Sequence, residues 1–157
     1  MDEATKTILF YPDLFRDYVR GNILDIGAGH DPVSPGAVIF DKPQGNAENI
    51  LQHFELGFFD TVFSSHCLEH INEPLLVIRD WFALVKPGGH LFIIVPDEDL
   101  YEQGHFPSIF NNDHKSTFTI SKAASSSRTA YRTCLKARFS LDLRKSESSF
   151  AEAMIEF

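Results

Sequence analysis

Ile23-Leu24-Asp25-Ile26-Gly27-Ala28-Gly29 is a short apolar run that carries one carboxylate and ends in a glycine bend. A run of this length closed by glycine reads as a buried strand. Asp25 inside it is costly without a partner, so it demands donors from nearby backbone or from a cationic ligand group. Gly27 and Gly29 let the chain turn sharply and let a ligand lie against bare amides. An ordinary tight turn would use the same residues.

Moving outward, Ala37-Val38-Ile39-Phe40-Asp41 is a second apolar run ending in a carboxylate. The stretch between them, residues 28–36, is too short and too rich in Pro and Gly for a full helix. The first crossover is therefore predicted to be a loop of at most one turn, although a parallel pair normally needs a dozen residues or more. Phe59–Ser65 is a third strand candidate. A helix over 73–86 follows, with Asn72 or Glu73 as cap and Pro74 in the first turn. Leu75, Ile78, Phe82 and Val85 are predicted to line its buried face, with Lys86 in its last turn and Pro87-Gly88-Gly89 as its stop. His90–Pro96 is then a continuous apolar strand. Strand, helix and strand form a βαβ unit of the size expected for a right-handed crossover.

The flanks are plainer. Pro12–Val19 reads as a short helix, with Leu14, Phe15, Tyr18 and Val19 on one face. Arg138–Leu143 alternates like a half-exposed strand, and Ala153–Phe157 reads as a last strand. The fold class expected is α/β: a three-layer, Rossmann-like, mostly parallel sheet with a shortened first crossover and a compressed C-terminal hairpin. The 157 residues suit one domain, divided into an N-terminal helix (1–20), a strand-and-helix core (21–96), a following segment (97–137) and terminal strands (138–157).

The net charge is −8, unevenly spread. Residues 1–114 hold 6 Lys/Arg against 18 Asp/Glu, whereas 115–145 hold 8 Lys/Arg against Asp142 alone. The acidic body argues against nucleic acid as a partner. The basic stretch suits either an anionic partner or a solvated face. No apolar run approaches the roughly 20 residues that span a bilayer, and Met1-Asp2-Glu3 is not a secretory start, so a cytoplasmic chain without membrane association is expected. Cys67 and Cys134 read as reduced thiols outside any metal-ligand spacing, so no metal centre is expected.

In open α/β sheets, ligands bind beyond the carboxyl ends of the strands. The phosphate fingerprint GxGxxG would need a third glycine where Pro32 stands, and a helix after it. Asp31 would also repel a phosphate. This disfavours a nucleotide-dependent oxidoreductase. Asp41 stands where a carboxylate grips a ribose diol, although a cap or a surface turn would also place an Asp there. Asp25, Gly27, Gly29 and Asp41 together describe a pocket for a cationic nucleoside without phosphates.

Leu24–Gly29 resembles the first motif of class I S-adenosylmethionine-dependent methyltransferases. Cys67-Leu68-Glu69-His70 followed by Leu84-Val85-Lys86-Pro87-Gly88-Gly89-His90-Leu91 resembles the signature of the methyltransferase type 11 group, and the spacing of Phe59-Asp60 before Ser65-His66 matches. The resemblance covers about residues 20–120. Residues 97–119 further resemble a bacterial subgroup with a shortened first crossover.

The resemblance implies S-adenosylmethionine as cofactor and a role for each matching position. Asp25 would orient its amino group, directly or through water. Gly27, Ala28 and Gly29 would pass under its methionine and ribose, and Asp41 would hold both ribose hydroxyls. Asn46 and Ala47 would meet the adenine, with Asn46 where the pattern often has Asp. Ser65 and His66 would line the methyl-donor end.

Methyl transfer from a sulfonium needs orientation first, and a base only when the acceptor holds a proton. His66, Asp113 and His114 are the base candidates. A cofactor-shelf or packing role is the plainer alternative for His66, and a helix cap before Lys115 for Asp113-His114. Glu69 and His70 read as structural hydrogen-bonding groups. His30, His53, His90 and His105 read as structural or surface groups.

Phe54, Phe58, Phe59, Phe63, Phe82 and Phe92 are expected in the core. Phe106, Phe110 and Phe118 are expected either there or on an acceptor wall. The acceptor expected is a small molecule or saccharide. A catalytically silent cofactor sensor or scaffold is the competing reading, and the sheet end offers an edge that could pair with a second copy.

Overall fold

The computed structural model describes residues 3–119 and, beyond them, the strands at 131–134, 140–145 and 150–156. A sheet is built from β1 (Ile23–Ile26), β2 (Val38–Phe40), β3 (Phe59–Ser65), β4 (Val85–Pro96), β7 (Ser140–Lys145) and β8 (Phe150–Glu156), in the order β2-β1-β3-β4-β8-β7. The first four strands are parallel, and β8 and β7 complete the sheet as an antiparallel pair. β5 (Ser116–Thr119) and β6 (Tyr131–Cys134) form a separate parallel pair.

Side chains alternate across the central strands, as a strand's period of two requires. Leu91, Ile93 and Val95 of β4 enter one core cluster with Leu24, Val62 and Trp81. Phe92 and Ile94 enter a second cluster with Phe15, Ile23 and Phe63. α3 (Pro74–Ala83) covers the first face. α1 (Glu3–Phe10) and α2 (Pro12–Tyr18) lie on the second, where one helix was expected. The three layers are thus present.

The expected shape of α3 needs two corrections. The helix ends at Ala83, and Lys86-Pro87-Gly88-Gly89 belongs to β4. From Phe59↔Val85 to Thr61↔His90 the register shifts, so these residues bulge out of the ladder. Lys86 therefore caps no helix, and its Nζ binds Asp60 Oδ1 at 3.0 Å. The buried face is also rotated. Val77, Ile78 and Trp81 are buried and Phe82 packs partly buried against the same core, whereas Leu75 is exposed and Val85, though buried, belongs to β4. Trp81 decides the phase, because its ring fills the core and its Nε1 donates to the Ala47 carbonyl at 3.1 Å.

Phe58 proves exposed and Phe118 is fully buried in the core, so Phe118 walls no acceptor site. Phe110 is exposed. Lys115 leads into β5, which removes the helix-cap reading of Asp113-His114. The sequence readings at Arg138-Phe139 and Phe157, and about half of the basic stretch, lie outside the described residues.

Candidate functional site

The loop after β1 is held from three sides. The Val33 amide donates to Asp25 Oδ2 at 2.6 Å. Asp25 is thus met by backbone, one of the two donor sources its burial demands. That burial still pushes its carboxyl up to about 6, partly opposed by the Val33 bond. Asp31 accepts from Thr5 Oγ1 at 2.6 Å and from the Thr5 amide at 2.9 Å, so α1 anchors the loop and these bonds hold the Asp31 carboxyl below its usual range. The Gly29 amide donates to Asp41 Oδ2 at 2.7 Å. Gly27 adopts φ +80°, and a Cβ there would stand 2.7 Å from Cys67 Cβ. Only glycine fits that turn.

A cavity of about 700 Å³ opens beyond these strand ends. That volume falls in the range of small-molecule pockets. Gly27, Asp41, Asn46, Ala47, His66 and Asp113 line it, so six of the predicted positions converge. Asp25, Ala28, Gly29, Ser65 and His114 are not among its lining residues. Asp25 lies buried behind the loop, and His114 is buried with its Nδ1 2.6 Å from Glu102 Oε1.

Asp41 takes the Gly29 amide on one oxygen and the Lys42 amide, at 2.6 Å, on the other. Each carboxylate oxygen retains a lone pair for a further donor, as a vicinal diol would supply. Asn46 caps the 3₁₀ turn Ala47–Gln52 by accepting the Glu48 amide at 2.9 Å. His66 follows β3 with φ +54°, a backbone region that non-glycine residues rarely enter. Its amide is tied to the Ile94 carbonyl at 3.0 Å.

Several wall residues were not predicted. Lys42, Glu48, Asn72 and Lys115 line the cavity, as does His70, which the sequence suggested only as structural. Glu48 Oε1 accepts from the Asn72 amide at 3.0 Å and Nδ2 at 2.8 Å, which holds its carboxyl below the usual range. Lys42, Asn72 and Lys115 sit on loops and Glu48 on a short 3₁₀ turn, none with a periodicity that marks it along the chain, whereas His70 lies in the Cys67–His70 motif. Cys67 also lines the cavity, but burial pushes its thiol up to about 12, so it offers no thiolate.

A parallel sheet covered on both faces, with a glycine bend and an acidic strand end bordering a cavity at its carboxyl edge, defines a Rossmann-like cofactor-binding domain. Residues 3–127 match the family described as methyltransferase domain, and the chain belongs to that family, within the class I S-adenosylmethionine-dependent methyltransferases.

Solved structures share the architecture. A SAM-dependent methyltransferase from Archaeoglobus fulgidus aligns with TM-score 0.57 at 17% identity, covering 74% of this chain and 63% of that one. An O-methyltransferase family protein from Burkholderia thailandensis aligns with TM-score 0.55 at 14% identity, covering 98% and 57%. At such identities the likeness shows the fold.

Among curated relatives, the ubiquinone biosynthesis O-methyltransferase of Vibrio parahaemolyticus is 56% identical over 36 residues, 23% of this chain and 15% of its own length. That of Acinetobacter baumannii (strain AYE) is 30% identical over 80 residues, 45% of this chain and 33% of its own length. The chain thus spans a third or less of these relatives.

Proposed function

We propose that this domain binds S-adenosylmethionine in the cavity beyond β1–β3 and transfers its methyl group to a hydroxyl of a small-molecule acceptor. The observation that carries the reading is the pairing of Asp41 with the Gly27–Gly29 bend. A two-oxygen diol acceptor and the bare backbone of Gly27 line the same cavity of about 700 Å³, with the Gly29 amide holding the carboxylate from behind. The wall carries three carboxylates (Asp41, Glu48 and Asp113, with Asp25 behind) and two lysines (Lys42 and Lys115), a mixed lining that suits a zwitterionic ligand with a cationic centre and a carboxylate.

The bound cofactor would supply an electrophilic methyl on a sulfonium. Asp41 would hold the ribose hydroxyls. Asn46 and Ala47 would flank the adenine, and the Gly27 turn would underlie the methionine end. Asp25, through its position under the loop, would set the orientation of the cationic tail. Displacement at the methyl is then a matter of alignment, and effective concentration supplies most of the acceleration. His66 and Asp113 line the cavity and would take the hydroxyl proton where one must leave. The hydroxyl acceptor is favoured by the relatives named as O-methyltransferases.

Calorimetric titration with S-adenosylmethionine, its demethylated product and NAD tests the reading. Binding of the first two without NAD supports it, and NAD binding with no response to S-adenosylmethionine overturns it. A labelled-methyl assay over hydroxylated acceptors then separates an enzyme from a silent sensor.

A further inference from the structure

Behind His70 the structure gathers three groups that can ligate, Glu69, His70 and His114, with His66 Nδ1 beside the carboxylate. Glu69 is 1% exposed, and among the described residues no hydrogen bond reaches either carboxylate oxygen. His66 Nδ1 stands 3.4 Å from Oε1 without completing one. A carboxylate buried in this way is costly unless something cationic or donating meets it.

The two neighbouring histidines have their protons assigned by their partners. His70 Nδ1 lies 3.1 Å from the Asp113 carbonyl oxygen and 3.1 Å from Asp113 Oδ2. Both partners accept only, so Nδ1 carries the hydrogen. His114 Nδ1 lies 2.6 Å from Glu102 Oε1, with both side chains buried, and the same reasoning places its hydrogen there. In each neutral ring the nitrogen left to offer is Nε2, with a lone pair. The rings stand 5.0 Å apart at 76°. One ligand atom from each of Glu69, His70 and His114 lies within 4.8 Å of the other two.

We propose that Glu69, His70 and His114 bind a divalent cation of the zinc class. Two imidazoles and one carboxylate are the donor set that zinc takes, whereas magnesium and calcium favour oxygen alone. Three protein ligands leave a fourth position for water. Glu102 and Asp113 occupy the outer positions, each fixing the tautomer and orientation of a ligating histidine. Zinc bonds of roughly 2.0–2.1 Å draw the three groups closer together on loading.

The ion would pin the 98–114 segment to the 3₁₀ turn Leu68–His70, beside the cavity wall that His70 and Asp113 share. This site stands on its own donors and does not depend on the methyl-transfer reading.

The test is metal uptake by the intact chain after chelator treatment and desalting. Zn²⁺ is titrated against a chromophoric chelator and Co²⁺ is followed by its visible absorption. One equivalent of Zn²⁺ and a Co²⁺ spectrum of low coordination number are expected. Glu69→Gln and His114→Gln should each weaken uptake at least tenfold, and Glu102→Gln by about 10–100-fold. His105→Gln, on the exposed part of the same segment, should leave uptake unchanged. Circular dichroism of each variant confirms that it is folded, and the near-isosteric Glu69→Gln and Glu102→Gln guard against a variant that fails to fold. Absence of stoichiometric uptake overturns the proposal. So does uptake that Glu69→Gln and His114→Gln leave intact, which would place the ion elsewhere.

Discussion

Asp41 Oδ2 accepts the Gly29 amide hydrogen at 2.7 Å, joining the end of β2 to the bend that follows β1. The bond fixes the carboxylate at the mouth of the cavity before any ligand arrives. A preorganised acceptor of this kind spends no rotamer entropy on binding.

Asp41→Ala should therefore weaken S-adenosylmethionine binding by roughly 1.5–3 kcal/mol for each charge-assisted bond lost. Asp41→Asn keeps the geometry without the charge and should fall between wild type and Ala. Calorimetric titration of the three proteins checks the order, and unchanged affinity in Asp41→Ala would remove this residue from the site.

Gly27→Ala meets two obstacles at once, φ +80° and the Cys67 Cβ at 2.7 Å. The expected loss is about 1–3 kcal/mol from the backbone conformation, with a packing term of similar size. Urea unfolding of both proteins measures it. Cofactor affinity should fall as well, because the bend borders the cavity.

Asp25 predicts a pH dependence of opposite sign to that of most carboxylates. Its folded value of about 6 lies above the unfolded value, so the folded state binds the proton more tightly. Stability from this group is fully present below the unfolded value and falls as pH rises from about 4 to 6, then stays level. Asp31 and Glu48 act the other way, losing their contribution as pH falls through their depressed folded values. The difference between wild type and Asp25→Asn isolates the first effect. Asn can still accept the Val33 amide, so the variant should gain on the order of 2–3 kcal/mol over wild type above pH 6. Unfolding curves at pH 4.5 and 7.5 that show a constant difference would refute it.

Lys86→Met should leave stability almost unchanged, because the Lys86–Asp60 pair is solvent-exposed and screened. Trp81→Phe should cost more, about 1–3 kcal/mol, since it leaves the Ala47 carbonyl without its donor and opens space in the core. Thermal melts of the two variants rank them.

The strands were legible in the chain because their evidence is local. Leu91–Val95 is apolar without interruption and Ile23–Ile26 is broken only by Asp25, and such runs are buried on both faces wherever they pair. The missing helix after Gly29 was legible for the same reason, as Pro and Gly act on their own residues. The rotation of α3 was not. Leu75 and Trp81 both fit a helical period, and only the position of Ala47 across the core chose between them.

Taken alone, the order of residues determined the α/β class, the short first crossover and the acidic positions at the strand ends. Each of these follows from backbone preferences and burial periods that act over a few neighbours. Which loops meet was decided only by the folded chain. Glu48 reaches Asn72 across 24 positions, and His70 reaches Asp113 across 43. Such meetings depend on strand order and register, which arise from packing the whole sheet and leave no mark on either segment by itself.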